Sequence, residues 1–533
     1  MSDVVLPQGV SEATFAKALE GFRAAVGAEH VLTEGEHFAE FRDPFQPPQW
    51  DTNTPSIVVM PQSTEEVQAV VRVAAEHGVP IWTHSTGKNN GYGGAAPLVQ
   101  GTVTVSLRRM NKILHIDEEL AYAEVEPGVT WRDLYDEITR RGLRLMMSNT
   151  DLGWGSVIGN SLENGFTYGV NGNDHSAPCG MEVVTADGDV LRTGMGAMTD
   201  NPAWHTYKSS FGPSLDRFFT QSNFGIVTKM GIWLLPAPEV YHPVWVRVWN
   251  YEDLIPLVDT LRELRLERTI EAGPVIYNTL MFACVFGRRS QFYDGPGAIP
   301  DHLIDGIAKE IGSGRWMLRA ALFGRRDIVE RQFARIKDAF GAIPGAEVWG
   351  EPHSFDEIPS LENPGELVSG GVPNLEMNHM VGWYSENDGG HIGFSPVVPL
   401  RGRDLFACHN ALRETLESEA GLDYMTGSVS INARTMLHVG LIMFNTADED
   451  ASQRAFSTTK RMVSRAAELG YGEFRSHLTH MDEVAAHYDF NDHAYLRFVE
   501  RIKDAVDPKG ILAPGKQGIW PEHLRSGRNG RTS

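Results

Sequence analysis

Between Ser56 and Thr83 the chain alternates a short apolar run, an amphipathic stretch and a second apolar run. Ser56 to Met60 is β-branched and reads as a buried strand. Val67, Val70, Val71 and Ala74 then recur at helical spacing behind a Ser63/Glu66 capping box. Gly78 closes this helix, Pro80 prevents its resumption, and Ile81 to Thr83 form a second strand. The pattern predicts a β-α-β unit that delivers the chain into a glycine-dense loop, Ser-Thr-Gly-Lys-Asn-Asn-Gly-Tyr-Gly-Gly-Ala-Ala-Pro over residues 85–97.

From Thr102 to about Leu235, short apolar strands alternate with turn signals such as Glu126-Pro127-Gly128 and Asp187-Gly188, which predicts an α+β arrangement. After Pro236-Ala237-Pro238 the pattern changes to longer helices, 251–266 and 327–340, separated by strands, so a domain boundary is placed near residue 243. Further helices are predicted over 458–469 and 495–506, the last stopped by Asp507-Pro508-Lys509-Gly510.

Length and charge narrow the function. A chain of 533 residues exceeds the ~250–300 residues at which a single core stops growing, so at least two domains are expected. A formal charge of −22 opposes binding to nucleic acid or anionic membranes. No apolar run reaches the ~18 residues of a membrane-spanning helix, and the N-terminus lacks the basic and apolar regions of a signal peptide, so a cytoplasmic location is expected. Cys179, Cys284 and Cys408 are widely spaced and read as reduced core thiols.

The glycine loop carries the first chemical signal. Gly87, Gly91, Gly93 and Gly94 lack a Cβ and allow backbone N–H groups to approach a phosphate closely, so the loop suits a pyrophosphate. Competing motifs fail. There is no G-x-G-x-x-G opening a helix near the loop, Gly87-Lys88 lacks the rest of a P-loop, and no G-x-S-x-G elbow occurs. His477, His480, His487 and His493 lie close in sequence, but no cysteine joins them, so core and surface histidines are a better reading than a metal site.

Several blocks in order extend the signal: Gly91-Tyr92-Gly93-Gly94-Ala95-Ala96-Pro97, Asp151-Leu152-Gly153-Trp154-Gly155-Ser156, Gln221-Ser222-Asn223, Gly225-Ile226-Val227-Thr228-Lys229, the run Gly389 to Pro396, and Ala513-Pro514-Gly515-Lys516. Over nearly its whole length the chain resembles the vanillyl-alcohol oxidase / p-cresol methylhydroxylase flavoprotein family. The resemblance implies a two-domain α+β fold, with an FAD domain from residues 1–243 and 474–533 and a cap domain with an antiparallel sheet over 244–473. It implies FAD joined covalently to His391 and held by Ser85, Thr86, Gly87, Lys88, Asn89, Asn90, Gly91, Gly155, Ser156, Gly159, Asn160, Gly225, Ile226, Val227 and Lys516, with no metal. Tyr92 and Arg475 match residues that hold a substrate phenol as phenolate, and Asp151 matches a carboxylate near flavin N5. In relatives covalent attachment raises the flavin's reduction potential, which favours taking hydride from a poor donor.

The substrate pocket is expected to include Phe166, Thr167, Tyr168 and Phe474. The family's Glu-Tyr-Arg reads Glu473-Phe474-Arg475 here, which removes one phenolate donor. With Phe166 and Thr167, the change is expected to favour more substituted rings such as 2,6-dimethoxyphenols. The implied activity is oxidation of 4-alkyl-, 4-allyl- or 4-hydroxymethylphenols with O2 reduced to H2O2, in a homodimer or higher homo-oligomer. The alternatives are a dehydrogenase that passes electrons to a cytochrome and an FAD-linked hydroxy-acid oxidase. Relatives of the dehydrogenase type carry tyrosine as the flavin linker, so His391 favours the oxidase.

Overall fold

The computed structural model describes residues 4–50, 53–172 and 175–525. The predicted β-α-β unit is present. Helix Thr64–His77 starts at Ser63, whose side chain accepts the Glu66 N–H, and stops at Gly78 in the left-handed conformation (φ 63°). The capping box is offset by one residue: the Glu66 carboxylate accepts from the N–H of Gln62 rather than that of Ser63. Strands Val58–Val59 and Ile81–His84 both pair parallel to Val103–Ser106, which lies between them, and Val31–Leu32 completes the sheet.

A second sheet is antiparallel, in the order Ile113–Asp117, Tyr122–Val125, Ile226–Trp233, Pro178–Val184, Val190–Arg192. The end of the chain returns to the first sheet. The Ile81 N–H donates to the Ile511 carbonyl and the Ala513 N–H donates to the Ile81 carbonyl, both at 2.8 Å. Lys503, fully buried, fixes this return by donating to the carbonyls of Asn223 (2.8 Å) and Leu512 (2.7 Å) while pairing with Asp507.

Residues 240–476 supply a third sheet of eight strands, all antiparallel, in the order Glu347–Trp349, Val240–Val248, Trp316–Gly324, Val275–Asn278, Tyr424–Asn432, Thr435–Asn445, Gly389–Pro399, Glu473–Ser476. Its two faces divide by the period-two rule. Ile276, Leu318, Ala320 and Met436 pack under helices Leu254–Leu266 and Arg326–Gly341. Val275, Tyr277, Gly427, Val429, Val439 and Leu441, of opposite parity, face a large cavity.

The predicted helices are present, with shifted ends. Tyr251–Asp253 is a single tight turn leading into Leu254–Leu266, and the 458–469 segment belongs to a longer helix, Glu449–Glu468. The last helix, Phe490–Val506, is broken at its start, where Asn491, Asp492 and His493 all have φ near +50°. Each such residue costs roughly 1–2 kcal/mol, somewhat less for Asn and Asp.

Candidate active site

The cavity, about 360 Å³, lies between the two smaller sheets and the cap sheet. The glycine loop forms one wall, and strand Gly389–Pro399 meets it directly. The Gly393 N–H donates to the Gly91 carbonyl at 2.9 Å, and a Cβ at Gly91 (φ 79°) would overlap His391 Nε2. Only glycine permits this approach. His391 is 4% exposed, and its Nδ1 is buried without a hydrogen-bond partner among the described residues. Burial lowers its pKa to about 4, so the imidazole is neutral near pH 7.

Of the predicted cofactor residues, Ser85, Thr86, Gly87, Lys88, Asn89, Asn90, Gly155, Ser156, Gly159, Asn160, Gly225, Ile226, Val227, His391 and Lys516 line this one cavity, and Gly91 stands behind His391. Ser156 caps helix Val157–Leu162 by accepting the Gly159 N–H at 2.9 Å, and Lys516 pairs with Glu163. His84, at the end of the strand that feeds the loop, also lines the cavity, and both its ring nitrogens are buried without partners among the described residues. Unpaired buried polar atoms and glycine-rich backbone in one cavity suit a large polar cofactor such as FAD.

The predicted catalytic residues reach the same cavity. Tyr92 is buried, and the Arg475 guanidinium carbon lies 4.1 Å from the centre of its ring. Asp151 accepts a hydrogen bond from the Tyr168 hydroxyl and lies 3.8 Å from Arg319. Burial raises the pKa of Asp151, a shift opposed by Arg319 and by the Tyr168 hydrogen bond. Arg319, 3% exposed, stacks 4.3 Å over Tyr168 and 5.7 Å from Tyr277.

Two residues expected in the substrate pocket lie outside the lining. The Thr167 hydroxyl is taken up by Ser148 at 2.9 Å. The Phe474 ring lies beside Arg475, 5.6 Å from its guanidinium carbon, and the Phe474 carbonyl accepts from Gln221 at 2.9 Å. Phe166 and Tyr168 do line the cavity. Arg319, Tyr277, His84 and Gly427 are absent from the sequence reading. Arg319 had a usable signal, since an arginine amid Trp-Met-Leu-Arg-Ala-Ala-Leu is a charge in a buried strand. Within the histidine cluster, His477 hydrogen-bonds Asp43 and Thr479 and His480 hydrogen-bonds the Phe456 carbonyl, and no group of three or more His, Cys, Asp or Glu placed to hold a metal occurs among the described residues. No described helix is long and apolar enough to cross a membrane.

Residues 55–194 match the FAD binding domain family and residues 390–517 the FAD linked oxidases, C-terminal domain family. The 4-cresol dehydrogenase [hydroxylating] flavoprotein subunit of Pseudomonas putida is 36% identical, over 97% of this chain and 98% of that protein. The structure of 4-ethylphenol oxidase from Gulosibacter chungangensis, an isoeugenol complex, superposes with a TM-score of 0.92 at 37% identity, covering 98% of this chain and all of that one. Substrate-bound p-cresol methylhydroxylase gives a TM-score of 0.90 at 36% identity, covering 97% and 99%. Fold and cavity thus define an FAD-linked oxidoreductase. The chain belongs to the vanillyl-alcohol oxidase / p-cresol methylhydroxylase family of flavoenzymes.

Glu473, two residues before Arg475, gives a pH signature. Its carboxylate accepts the Ser395 N–H at 2.7 Å, its Oε2 has no partner among the described residues, and burial pushes its pKa from 4.5 up to about 8. An acid with a raised folded pKa leaves the native state holding the extra proton between those values, so stability falls as pH rises from 4.5 to about 8. Thermal melts across this window are expected to show Glu473→Gln gaining on the wild type as pH rises. Parallel curves for the two proteins would contradict the assignment.

Proposed function

We propose that the protein oxidises para-substituted phenols at the benzylic carbon through a p-quinone methide, with O2 as electron acceptor and H2O2 as product. The observation that carries this reading is the Arg475 guanidinium stacked on Tyr92 in the same cavity as the Asp151–Tyr168 pair. A phenol ionises near pH 10, so holding it as phenolate near neutrality takes ~3 pKa units, or ~4 kcal/mol, of differential stabilisation. Arg475 supplies the charge and the Tyr92 hydroxyl a donor. FAD, when bound, accepts the hydride and passes the electrons on to oxygen. The phenolate that has lost a hydride is a neutral quinone methide. Water then adds to it to give an alcohol, or a proton leaves its side chain to give an alkene. Asp151, with its pKa raised and Tyr168 donating to it, is the group that moves the proton.

His391 is assigned as the covalent FAD attachment. Its neutral imidazole and unpaired Nδ1 at the cavity wall support this role. Wild-type protein denatured before mass measurement is expected to retain the mass of FAD, and His391→Ala to lose it.

The relative named as a dehydrogenase subunit supports a second reading, in which electrons pass to a protein acceptor. Anaerobic mixing with 4-propylguaiacol and 4-propylsyringol, followed by air, separates the two. Bleaching with rapid recovery and peroxide is expected; bleaching without recovery favours the dehydrogenase, and no bleaching with any phenol rejects both. Asp151→Asn is expected to slow flavin reduction roughly 100-fold with the fold unchanged. Near-normal reduction would remove Asp151 from the mechanism.

Preference for a substituted ring now rests on Gly427 rather than Phe474. Gly427 lies within strand Tyr424–Asn432 and lines the cavity, yet its backbone has no positive φ. The nearest atoms to a Cβ there would be the Tyr277 ring at 3.5 Å and Val275 Cγ2 at 3.7 Å, which is ordinary contact. Backbone geometry therefore does not require this glycine, which costs roughly 0.5–1 kcal/mol in a strand, and its effect is to leave room for a ligand. Gly427→Val is expected to lower kcat/KM for 4-propylsyringol at least tenfold more than for 4-propylguaiacol, on the scale that a pocket methylene or two commands. Equal losses would refute the role.

A further inference from the structure

The Arg475 charge meets no carboxylate among the described residues. Arg289, Arg315, Arg319 and Arg413 are likewise withdrawn into the cap domain, yet each faces an acid, at 3.0, 2.9, 3.8 and 2.8 Å respectively. Arg475 lines the main cavity with its Nε buried and unpartnered, and only aromatic rings, those of Tyr92 and Phe474, stand against its guanidinium among the described residues. The acid beside it in sequence is Glu473, two residues back on strand Glu473–Ser476 and close enough to feel its charge. Glu473 nevertheless forms no ion pair with it. The Glu473 Oε1 accepts the Ser395 N–H at 2.7 Å, its Oε2 is buried without a partner among the described residues, and the side chain borders a second cavity of about 330 Å³.

A carboxylate placed in this way is poorly solvated. Burial outweighs the backbone N–H groups of Ser395 and Arg475 and the Arg475 charge, and it raises the Glu473 pKa to about 8. At neutral pH a neutral acid therefore stands beside a full positive charge.

We propose that Glu473 is a positioning residue that keeps the Arg475 guanidinium free for the substrate phenolate by standing beside it uncharged. The inference rests on the phenolate reading given above. An ionised carboxylate at this position would pair with Arg475 and compete with the phenolate for the field of one cation. The coupling is reciprocal: a phenolate bound at Arg475 disfavours a second anion nearby and so holds the proton on Glu473 more tightly. Below about pH 8 the proton lost by the phenol goes to solvent; above it, Glu473 takes up a proton as the phenol gives one off. Other groups around Glu473 do not titrate in its place. Cys408, Tyr424 and Tyr488 feel its charge and Tyr471 shares its cavity, and burial raises the pKa of all four, to about 12 for Cys408 and Tyr471. His487 and Asp489 stand at the exposed rim of that cavity.

The test uses the holoenzyme and 4-tert-butylphenol, which has no benzylic hydrogen to lose and so reports binding without turnover. Its Kd is read from the perturbed flavin absorbance at about pH 7 and about pH 9.5, on either side of the Glu473 ionisation, for the wild type and Glu473→Gln. The phenol and Asp151 titrate in both proteins, so the ratio of the two Kd values isolates Glu473. The variant is expected to gain roughly tenfold on the wild type between the two pH values, a coupling of about one pKa unit. Proton release into a weakly buffered indicator needs no variant: the wild type is expected to release about one proton per phenol bound near pH 6.5 and roughly half or less near pH 8.5. A glutamate with only a structural role would shift Kd equally at both pH values. That constant ratio overturns the proposal, as does release of one full proton at both. Arg475→Met separates the proposal from the reading beneath it. If this change leaves Kd as it was, no phenolate is held there and both fall; if it weakens binding while the ratio stays constant, the proposal alone falls.

Discussion

Everything around the cavity depends on one close approach, that of the Gly91 backbone to the strand bearing His391. The Gly393 N–H bonds the Gly91 carbonyl, and no side chain fits between loop and strand. This seam joins the β-α-β unit near the N-terminus to the cap sheet. It also places Tyr92 one residue beyond the contact, where Arg475 stacks on it. The proposed cofactor cradle and the proposed substrate clamp are therefore fixed by the same few atoms, and an error at Gly91 would reach both.

Buried charge supplies the second constraint. The Arg319 side chain is 3% exposed and that of Asp151 18%, and neither charge would be tolerated there alone. Two tyrosines and a hydrogen bond complete the group, so the carboxyl is held in one position with a raised pKa. Lys503 and Asp507 follow the same logic for architecture rather than chemistry, anchoring the chain end through backbone carbonyls.

Local signals in the sequence were read well because their physics is local. Ser63 and Gly78 bracket their helix as predicted, and the loop at 85–97 lines the cavity it was expected to line. The order of the eight-stranded sheet was out of reach, since Val275–Asn278 pairs with Tyr424–Asn432 across about 150 residues and apolar periodicity carries no record of partners. Helix Glu449–Glu468 was caught only in its second half because its first half is mostly polar. Thr167 and Phe474 are expected in the pocket from their match to family motif positions, but a residue beside a cavity-lining one in sequence need not share its face. Gly427 has no local signature at all; only the space in front of it gives it meaning.

The return of the chain end to Ile81 has a consequence for the order of synthesis. Lys516 stands in the cavity wall, and Ile511 and Ala513 complete the edge of the first sheet, so the cavity draws on segments far apart in the sequence. A ribosome delivers those last residues only after the cap sheet has emerged, and contacts of such long sequence separation form late. The cavity is therefore closed only once residues 511–516 have been made, and until then the nascent chain must keep its unpaired sheet edge and open cavity from other contacts.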